Sequence, residues 1–210
     1  MKVETLVVGQ LQTNCFLVWD EENNEAIIID PADAGDYIIR RIQDLELKPI
    51  LIIATHGHFD HVLAVPEVKL AFKIPFLIHQ ADLFLLKRSR ETAHFFTRAE
   101  ADPPLMPDKF IKKGDLIKFG KEKLKVIETP GHSPGGVSLY SREEGILFSG
   151  DTLFKQGIGR YDFSYASKED LFNSIEKLLK LPKETLVYSG HGPETTIGEE
   201  KDIIDTPSFY

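Results

Sequence analysis

The sequence predicts an α/β fold in which two β-sheets pack face to face with helices outside. Three observations predict it. Short apolar runs of strand length recur in both halves, segments of helical period lie between them, and runs of both halves end in loops bearing histidine or aspartate, as if at one shared place. No linker, repeat or low-complexity segment divides the chain, so residues 1–210 read as a single domain.

Composition narrows the function classes. A hydrophobic content of 42% supports a sizeable core, and 33 acidic against 25 basic residues, net charge −8, speak against a nucleic-acid partner. No stretch approaches the ~20 apolar residues of a membrane span. The start, Met1-Lys2-Val3-Glu4, enters a strand pattern without a signal-peptide apolar region. The expectation is a cytoplasmic protein with no membrane partner. The single Cys15 cannot form an intramolecular disulfide, in keeping with a reducing compartment.

In chain order, three strand-like runs, 3–8, 14–19 and 25–29, form a meander separated by turn-like segments. Cys15 lies beside Phe16 and Leu17, which suits a buried apolar side chain better than a nucleophile. Asp30-Pro31 closes the third run, and Asp30 reads equally as a turn or cap residue and as a neighbour of the site. Tyr37, Ile38, Ile42 and Leu45 follow at helical spacing until Lys48-Pro49, and a strand over 50–54 comes next. A short helix over 66–72, a strand over 75–78 and a helix over 81–89 follow. Residues 91–109, with His94, Phe95, Phe96 and three prolines, predict a loop-rich insertion overhanging a pocket. The second half gives strands over 116–119, 123–128, 137–140 and 145–149. Ser167 and Asp170 resemble a cap for a helix whose apolar face is Leu171, Ile175, Leu178 and Leu179 and which ends at Leu181-Pro182. A last helix is expected over 194–205, before Thr206-Pro207.

The densest chemical signal is Thr55-His56-Gly57-His58-Phe59-Asp60-His61, directly behind the apolar run 50–54. In His-x-His both rings leave an extended backbone on one side, while Asp60 and His61, after a turn at Gly57, can serve a second position. Three further loops, around His132, Asp151 and His191, each set one such residue among glycines at a strand end. Each alone is weak. Together the four loops supply five histidines and two aspartates, an inventory for two metal ions sharing a bridging carboxylate. His79 and His94 have no ligand-like neighbours and read as surface or hydrogen-bonded histidines. Arg160, after a Gly157-Ile158-Gly159 turn, is the one basic residue placed near the pocket, either to bind a substrate carboxylate or to pair with Asp162. Tyr161, Phe154 and Phe163 either line the same mouth or pack beneath it.

In order and in kind, His56, His58, Asp60, His61, His132, Asp151 and His191 resemble the motifs of the metallo-β-lactamase superfamily. Thr13-Asn14-Cys15, Gly159-Arg160-Tyr161-Asp162-Phe163 and Gly190-His191-Gly192-Pro193-Glu194-Thr195-Thr196 resemble its single-domain glyoxalase II-like (hydroxyacylglutathione hydrolase-like) branch. The resemblance implies a four-layer αβ/βα sandwich. It further implies a first metal on His56, His58 and His132, a second on Asp60, His61 and His191, and Asp151 between them. Asp60 and Asp151 are then the carboxylates of the catalytic centre, with Arg160 and Tyr161 the substrate-binding candidates. The implied cofactors are two divalent ions, zinc first, with iron or manganese also suited.

The implied activity is metal-dependent hydrolysis of S-lactoylglutathione or related hydroxyacyl thioesters, a small-molecule substrate. Two ions ~3.5–4 Å apart lower the pKa of a shared water from 15.7 toward ~7. A thiol of pKa ~8.5 leaves without a general acid, and no motif residue is an obvious acid, which favours thioester over amide. Full-length glyoxalase II carries a helical C-terminal domain gripping glutathione, whereas 19 residues (192–210) follow His191, so a weak grip on glutathione is expected. The zinc β-lactamases generally place cysteine where this chain has Asp151, and the superfamily's RNA-processing nucleases add an arm with no counterpart here, which disfavours both. The Gly-Arg-x-Asp-Phe element also resembles the persulfide dioxygenases, in which one iron would be held by His56, His132 and Asp151. A closed structural zinc site is disfavoured because such sites are cysteine-rich.

Overall fold

In the computed structural model, which describes residues 1–98 and 100–204, the two sheets of the sandwich are built from successive halves of the chain. The first contains β1 (Lys2–Val8), β2 (Thr13–Trp19), β3 (Glu25–Ile29), β4 (Lys48–Ile53), β5 (Phe76–His79) and β6 (Lys109–Ile111), in that spatial order. β1, β2 and β3 are antiparallel; β3 to β6 run parallel. The second contains β7 (Leu116–Phe119), β8 (Glu122–Glu128), β9 (Val137–Ser141) and β10 (Ile146–Gly150), continued by β13 (Leu186–Ser189) and β14 (Thr195–Thr196). Between the last two groups, β11 (Leu153–Phe154) and β12 (Gly157–Ile158) form a small hairpin.

Period-two alternation explains why both faces of the central strands are apolar. On β2 and β3, Phe16, Val18, Ile27 and Ile29 face the other sheet and meet Phe119, Leu124, Val126, Leu139 and Phe148. The alternate residues Cys15, Leu17, Ala26 and Ile28 face outward, against α1 (Gly35–Asp44) and α3 (Val65–Phe72), which offer Ile38, Ile42 and Val68. On the far side, Leu147 and Val187 pack against Leu171, Ile175 and Leu178 of α6 (Lys168–Leu178). Four layers result, as expected for the metallo-β-lactamase fold. Burial of Cys15 is complete, which raises its thiol pKa far above the ordinary value through desolvation. This is the core role its neighbours predicted.

The remaining helices are α2 (Phe59–Val62), α4 (Leu83–Lys87), α5 (Ser89–Thr97) and α7 (Ile197–Ile204). Ser167 caps α6 by accepting from the Asp170 backbone amide at 3.2 Å. Two expectations need correction. Residues 91–109 are not uniformly loop: helix α5 occupies 89–97, because the prolines that argue against helix begin only at Pro103. The tail helix begins at Ile197 rather than 194, since Thr195 and Thr196 pair with β13. Its expected stop at Thr206-Pro207 lies outside the described residues. Among the described residues no helix is long and apolar enough to cross a membrane.

Phe148 joins the two sheets, its ring 5.1 Å from Phe16 and 5.4 Å from Tyr188. Phe148→Ala is expected to lower unfolding free energy by about 3–5 kcal/mol. Urea titration checks this; a loss under ~1 kcal/mol would show that the inter-sheet core does not close around this ring.

Candidate metal centre

The topology sends ligand-bearing loops to one edge. β3 and β4 are parallel neighbours, so Asp30 and Thr55–His61 emerge together. In the second sheet β9 lies antiparallel to both β8 and β10, and β13 is parallel to β10, so the loops of His132, Asp151 and His191 leave the same way. Within the first loop, His58 is extended, with φ −66 and ψ 146, and α2 begins immediately after it at Phe59. That change from strand-like to helical backbone turns Asp60 and His61 away from the first two histidines. Gly190 is required by close approach: a Cβ there would lie 2.2 Å from Asp151 Oδ1 and 2.7 Å from His61 Cε1.

Three groups of ligand atoms converge within 4.8 Å: His56, His58 and His132; Asp60, His61 and His191; and His56, His61 and Asp151. His58 Nδ1 is 3.0 Å from His56 Nε2 and 2.9 Å from His132 Nε2. These separations approach the ~3.3 Å between ligands of a tetrahedral ion binding nitrogen at ~2.0–2.1 Å. Asp151 faces both sides, with Oδ1 3.5 Å from His61 Nε2 and Oδ2 3.5 Å from His132 Nε2. His191 Nε2 lies 3.3 Å from Asp60 Oδ2.

Surrounding hydrogen bonds decide which nitrogen of each ring faces inward bare. Buried Asp30 accepts from the Thr55 amide and hydroxyl, each at 2.6 Å, and from His61 Nδ1 at 2.9 Å. With its proton given to Asp30, the Thr55 oxygen accepts from His56 Nδ1 at 3.1 Å. One carboxylate thus sets two tautomers. His132 Nδ1 donates to the Arg160 carbonyl and His191 Nδ1 to the Leu11 carbonyl. Nε2 is therefore the inward lone pair on His56, His61, His132 and His191. On His58 the inward atom is Nδ1, and Nε2 is held by the Tyr165 hydroxyl at 2.7 Å.

Bare nitrogens and carboxylates facing one another call for a cation. His61 Nε2 and Asp151 Oδ1 are buried without a hydrogen-bond partner, an arrangement that costs free energy unless positive charge lies between them. Burial pulls His61 down, yet Asp151, Asp60 and Asp30 override it and raise its pKa to about 10. A proton or a divalent ion satisfies that demand. Burial pushes Asp60 up, but His61 and His191 hold it well below the usual carboxylate range. Desolvation, with His132 alongside, lowers His58 to about 3, and desolvation with His61 lowers His56 strongly, leaving both neutral as ligands require. The donor set fits two divalent ions.

All seven residues singled out for metal come together, and Asp30 joins them as an orienting group. Neither substrate-binding candidate is one of the converging ligands, and each makes local contacts beside them. Arg160, 65% exposed, forms a two-point pair with Asp162 and lies over Phe163, so the local ion pair is the contact it makes. The Tyr161 ring packs by Phe172 and beneath Lys168. His79 pairs with Glu128 and His94 with Glu100, both away from the centre. Phe154 stands 6.3 Å from His191, and Phe163 5.3 Å from His58.

Sequence reasoning missed Tyr165 and Asp82. Fully buried, Asp82 accepts from the Gly57 amide at 2.8 Å, the Ser133 hydroxyl at 2.7 Å and the Gly135 amide at 2.5 Å. It thereby clamps the His56–His58 loop to the His132 loop. The roles of Thr13 and Asn14 also appear only here: Thr13 donates to Asp60 Oδ2 at 3.3 Å, and Asn14 donates to the carbonyls of Ser189 and Gly192 around His191.

Comparison with known proteins adds to this geometry. A sequence model described as the metallo-beta-lactamase superfamily matches residues 8–191. The chain is 38% identical over 204 residues to a hydroxyacylglutathione hydrolase, GloC, of Haemophilus influenzae, covering 96% of this chain and 95% of the relative. It is 39% identical to the probable metallo-hydrolase YqgX of Bacillus subtilis with the same coverages. Among solved structures, TTHA1623 in a di-iron-bound form aligns with TM-score 0.89 and 37% identity, covering 99% of this chain and 100% of that one. BLEG-1, described as a B3 metallo-beta-lactamase, aligns with TM-score 0.89 and 36% identity over 96% and 97%. ETHE1 from Myxococcus xanthus aligns with TM-score 0.79 and 26% identity over 96% and 82%.

Asp82→Asn replaces an acceptor of three bonds by a group that must turn an NH2 toward other donors. It is expected to weaken zinc binding by about 10- to 100-fold and to cost about 1–3 kcal/mol of stability. Chelator competition measures the former; wild-type affinity would refute the clamp. The folded metal-free protein holds the His61 proton to about pH 10, an unfolded chain only to ~6.5. The stability it lends is therefore complete below ~6.5 and is lost as pH rises through about 10. Adding zinc at pH 7 in weak buffer should release at least about one proton per chain, and no release would contradict the charge assignment.

Proposed function

The chain belongs to the metallo-β-lactamase superfamily, and from that premise we propose that it is a metal-dependent thioesterase acting on hydroxyacyl thioesters of the S-lactoylglutathione kind. The observation that carries this reading is the position of Asp151, whose two oxygens face ligands of two different groups. One carboxylate so placed suits a pair of ions. His56, His58 and His132 would hold the first, Asp60, His61 and His191 the second, and Asp151 would bridge. Zinc, iron and manganese all suit nitrogen and carboxylate donors. The likeness to a hydroxyacylglutathione hydrolase at 38% identity and to a di-iron protein at 37% supports both parts of the reading.

When bound, such a pair of ions supplies ionised water near neutral pH and a Lewis acid for the acyl oxygen. The chain's own residues do the rest. Asp30 and Thr55 keep the Nε2 lone pairs of His61 and His56 inward, and Tyr165 steadies His58. Thr13 fixes Asp60 by donating to Oδ2, the oxygen that faces His61 and His191. Among the described residues, none of the seven ligand side chains is free to protonate a departing amine, whereas a thiolate leaves unaided at neutral pH. The dioxygenase reading uses His56, His132 and Asp151 alone and gives Asp60, His61 and His191 no task, although their ligand atoms also converge within 4.8 Å.

The test combines metal analysis with assays on a lactoyl thioester, a β-lactam and a persulfide. Two ions per chain and thioester turnover are expected, with little β-lactam hydrolysis. One iron with oxygen uptake on the persulfide would replace the hydrolase by a dioxygenase. Asp151→Asn should lower occupancy of both sites and reduce kcat/KM by at least about a hundredfold, ~2.7 kcal/mol. His61→Ala should empty mainly one site. Full occupancy in Asp151→Asn would remove the bridging role.

A further inference from the structure

A slot beside the centre meets it at His58 and Tyr165 and is otherwise built from groups that the metal chemistry does not use. It encloses about 510 Å³ and has His58 and Gly57 at one end, a size ordinary for a small-molecule site. One wall is aromatic through Phe163 and Tyr165, stacked with centroids 5.4 Å apart and 16° between planes. The facing wall comes from the helices after the histidine motif: Phe59 and Phe96 are stacked at 6.0 Å, and Phe95 meets Phe96 edge-on at 5.0 Å. Phe95 and Phe96 are 67% and 61% exposed, although their helix has a buried face at Ser89 and Ala93 where such rings are ordinarily placed. Exposed rings rimmed by polar groups mark ligand surfaces. Arg88 and Glu91 also line the slot, and among the described residues neither has an ion-pair partner.

We infer that this slot binds a ring-bearing, apolar substituent of the thioester, so that the preferred substrates are aryl-substituted rather than simple lactoyl esters. The inference rests on the thioesterase reading and deepens it. Continuity through His58, which belongs to both slot and centre, allows one molecule to place its scissile carbonyl at the centre and its ring between the walls. A planar ring matches two aromatic walls through offset stacking and edge contacts. A lactoyl methyl leaves those walls wet. Arg88 adds a preference for a carboxylate or sulfonate on the same arm. The ring can enter on the acyl or on the thiol side, and the two are separable by synthesis.

The experiment uses full-length, metal-loaded protein and three esters: lactoyl and mandeloyl esters of one small aliphatic thiol, and the lactoyl ester of benzyl mercaptan. At least one aryl ester is expected to exceed the lactoyl reference in kcat/KM by about tenfold or more; the favoured ester identifies the arm. In Phe95→Ala/Phe96→Ala that ratio should fall toward one through a higher KM. As a readout independent of turnover, anilinonaphthalene sulfonate should show saturable emission with the wild type, much weakened in the double variant and in Arg88→Ala. Equal kcat/KM for all three esters, or dye binding unchanged in the double variant, overturns the slot assignment while leaving the thioesterase standing. Turnover of none of the esters overturns both.

Discussion

The structure depends on keeping bare ring nitrogens and ionised carboxylates aimed at one another where little water reaches. Left alone, such groups would turn to protonate, hydrogen-bond or solvate, so each must be fixed from behind. Asp30 does this for two histidines through three short contacts. It adopts φ 51, a left-handed conformation that few residues other than glycine, asparagine and aspartate enter readily. Strain of order 1–3 kcal/mol is typical of such positions and persists only where surrounding bonds over-determine the geometry. Here those bonds are the reason the residue is there: an extended Asp30 would send its carboxylate to a sheet face instead of toward Thr55 and His61.

Because the ligands come from both sheets, the core between the sheets is also the frame of the metal centre. His56, His58, Asp60 and His61 follow the first sheet, and His132, Asp151 and His191 follow the second. A shift of one sheet over the other would separate the groups. The isoleucines and phenylalanines of the interlayer core resist it, since close-packed interiors deform little. Local ties reinforce the frame at its open edge. Asn14 binds the His191 loop to the start of β2, and Asp82 binds the His56–His58 loop to the His132 loop. Gly190 admits the close approach of the His191 loop to Asp151 and His61.

How much of this was legible depended on whether the signal was local. The strands could be read from short apolar runs, and the centre could be read because each ligand follows a strand within a few residues. Asp30 stayed ambiguous because its partners, Thr55 and His61, are 25 and 31 positions away. Asp82 and Tyr165 gave no signal at all: Asp82 falls inside the helix expected over 81–89, and Tyr165 touches His58 across 107 residues. Arg160 drew notice for its charge, whereas its backbone carbonyl is what meets the His132 ring. Helix α5 was hidden because three prolines downstream coloured the reading of the whole segment, although none falls within 89–97.

Centre and slot are made differently. The centre uses buried polar groups at strand ends, where one lost bond leaves another group unsatisfied, so substitutions there propagate. The slot uses exposed rings on α5, which follows a break at Arg88 with φ −101 and ψ 5; such residues can change without disturbing the sheets. Reactivity and substrate choice can therefore vary separately on this scaffold. Relatives of nearly equal identity bear names of different activities, a hydroxyacylglutathione hydrolase at 38% and a B3 metallo-beta-lactamase at 36%. Overall identity to such relatives is consequently a poor guide to the substrate, and the walls around His58 are the better one.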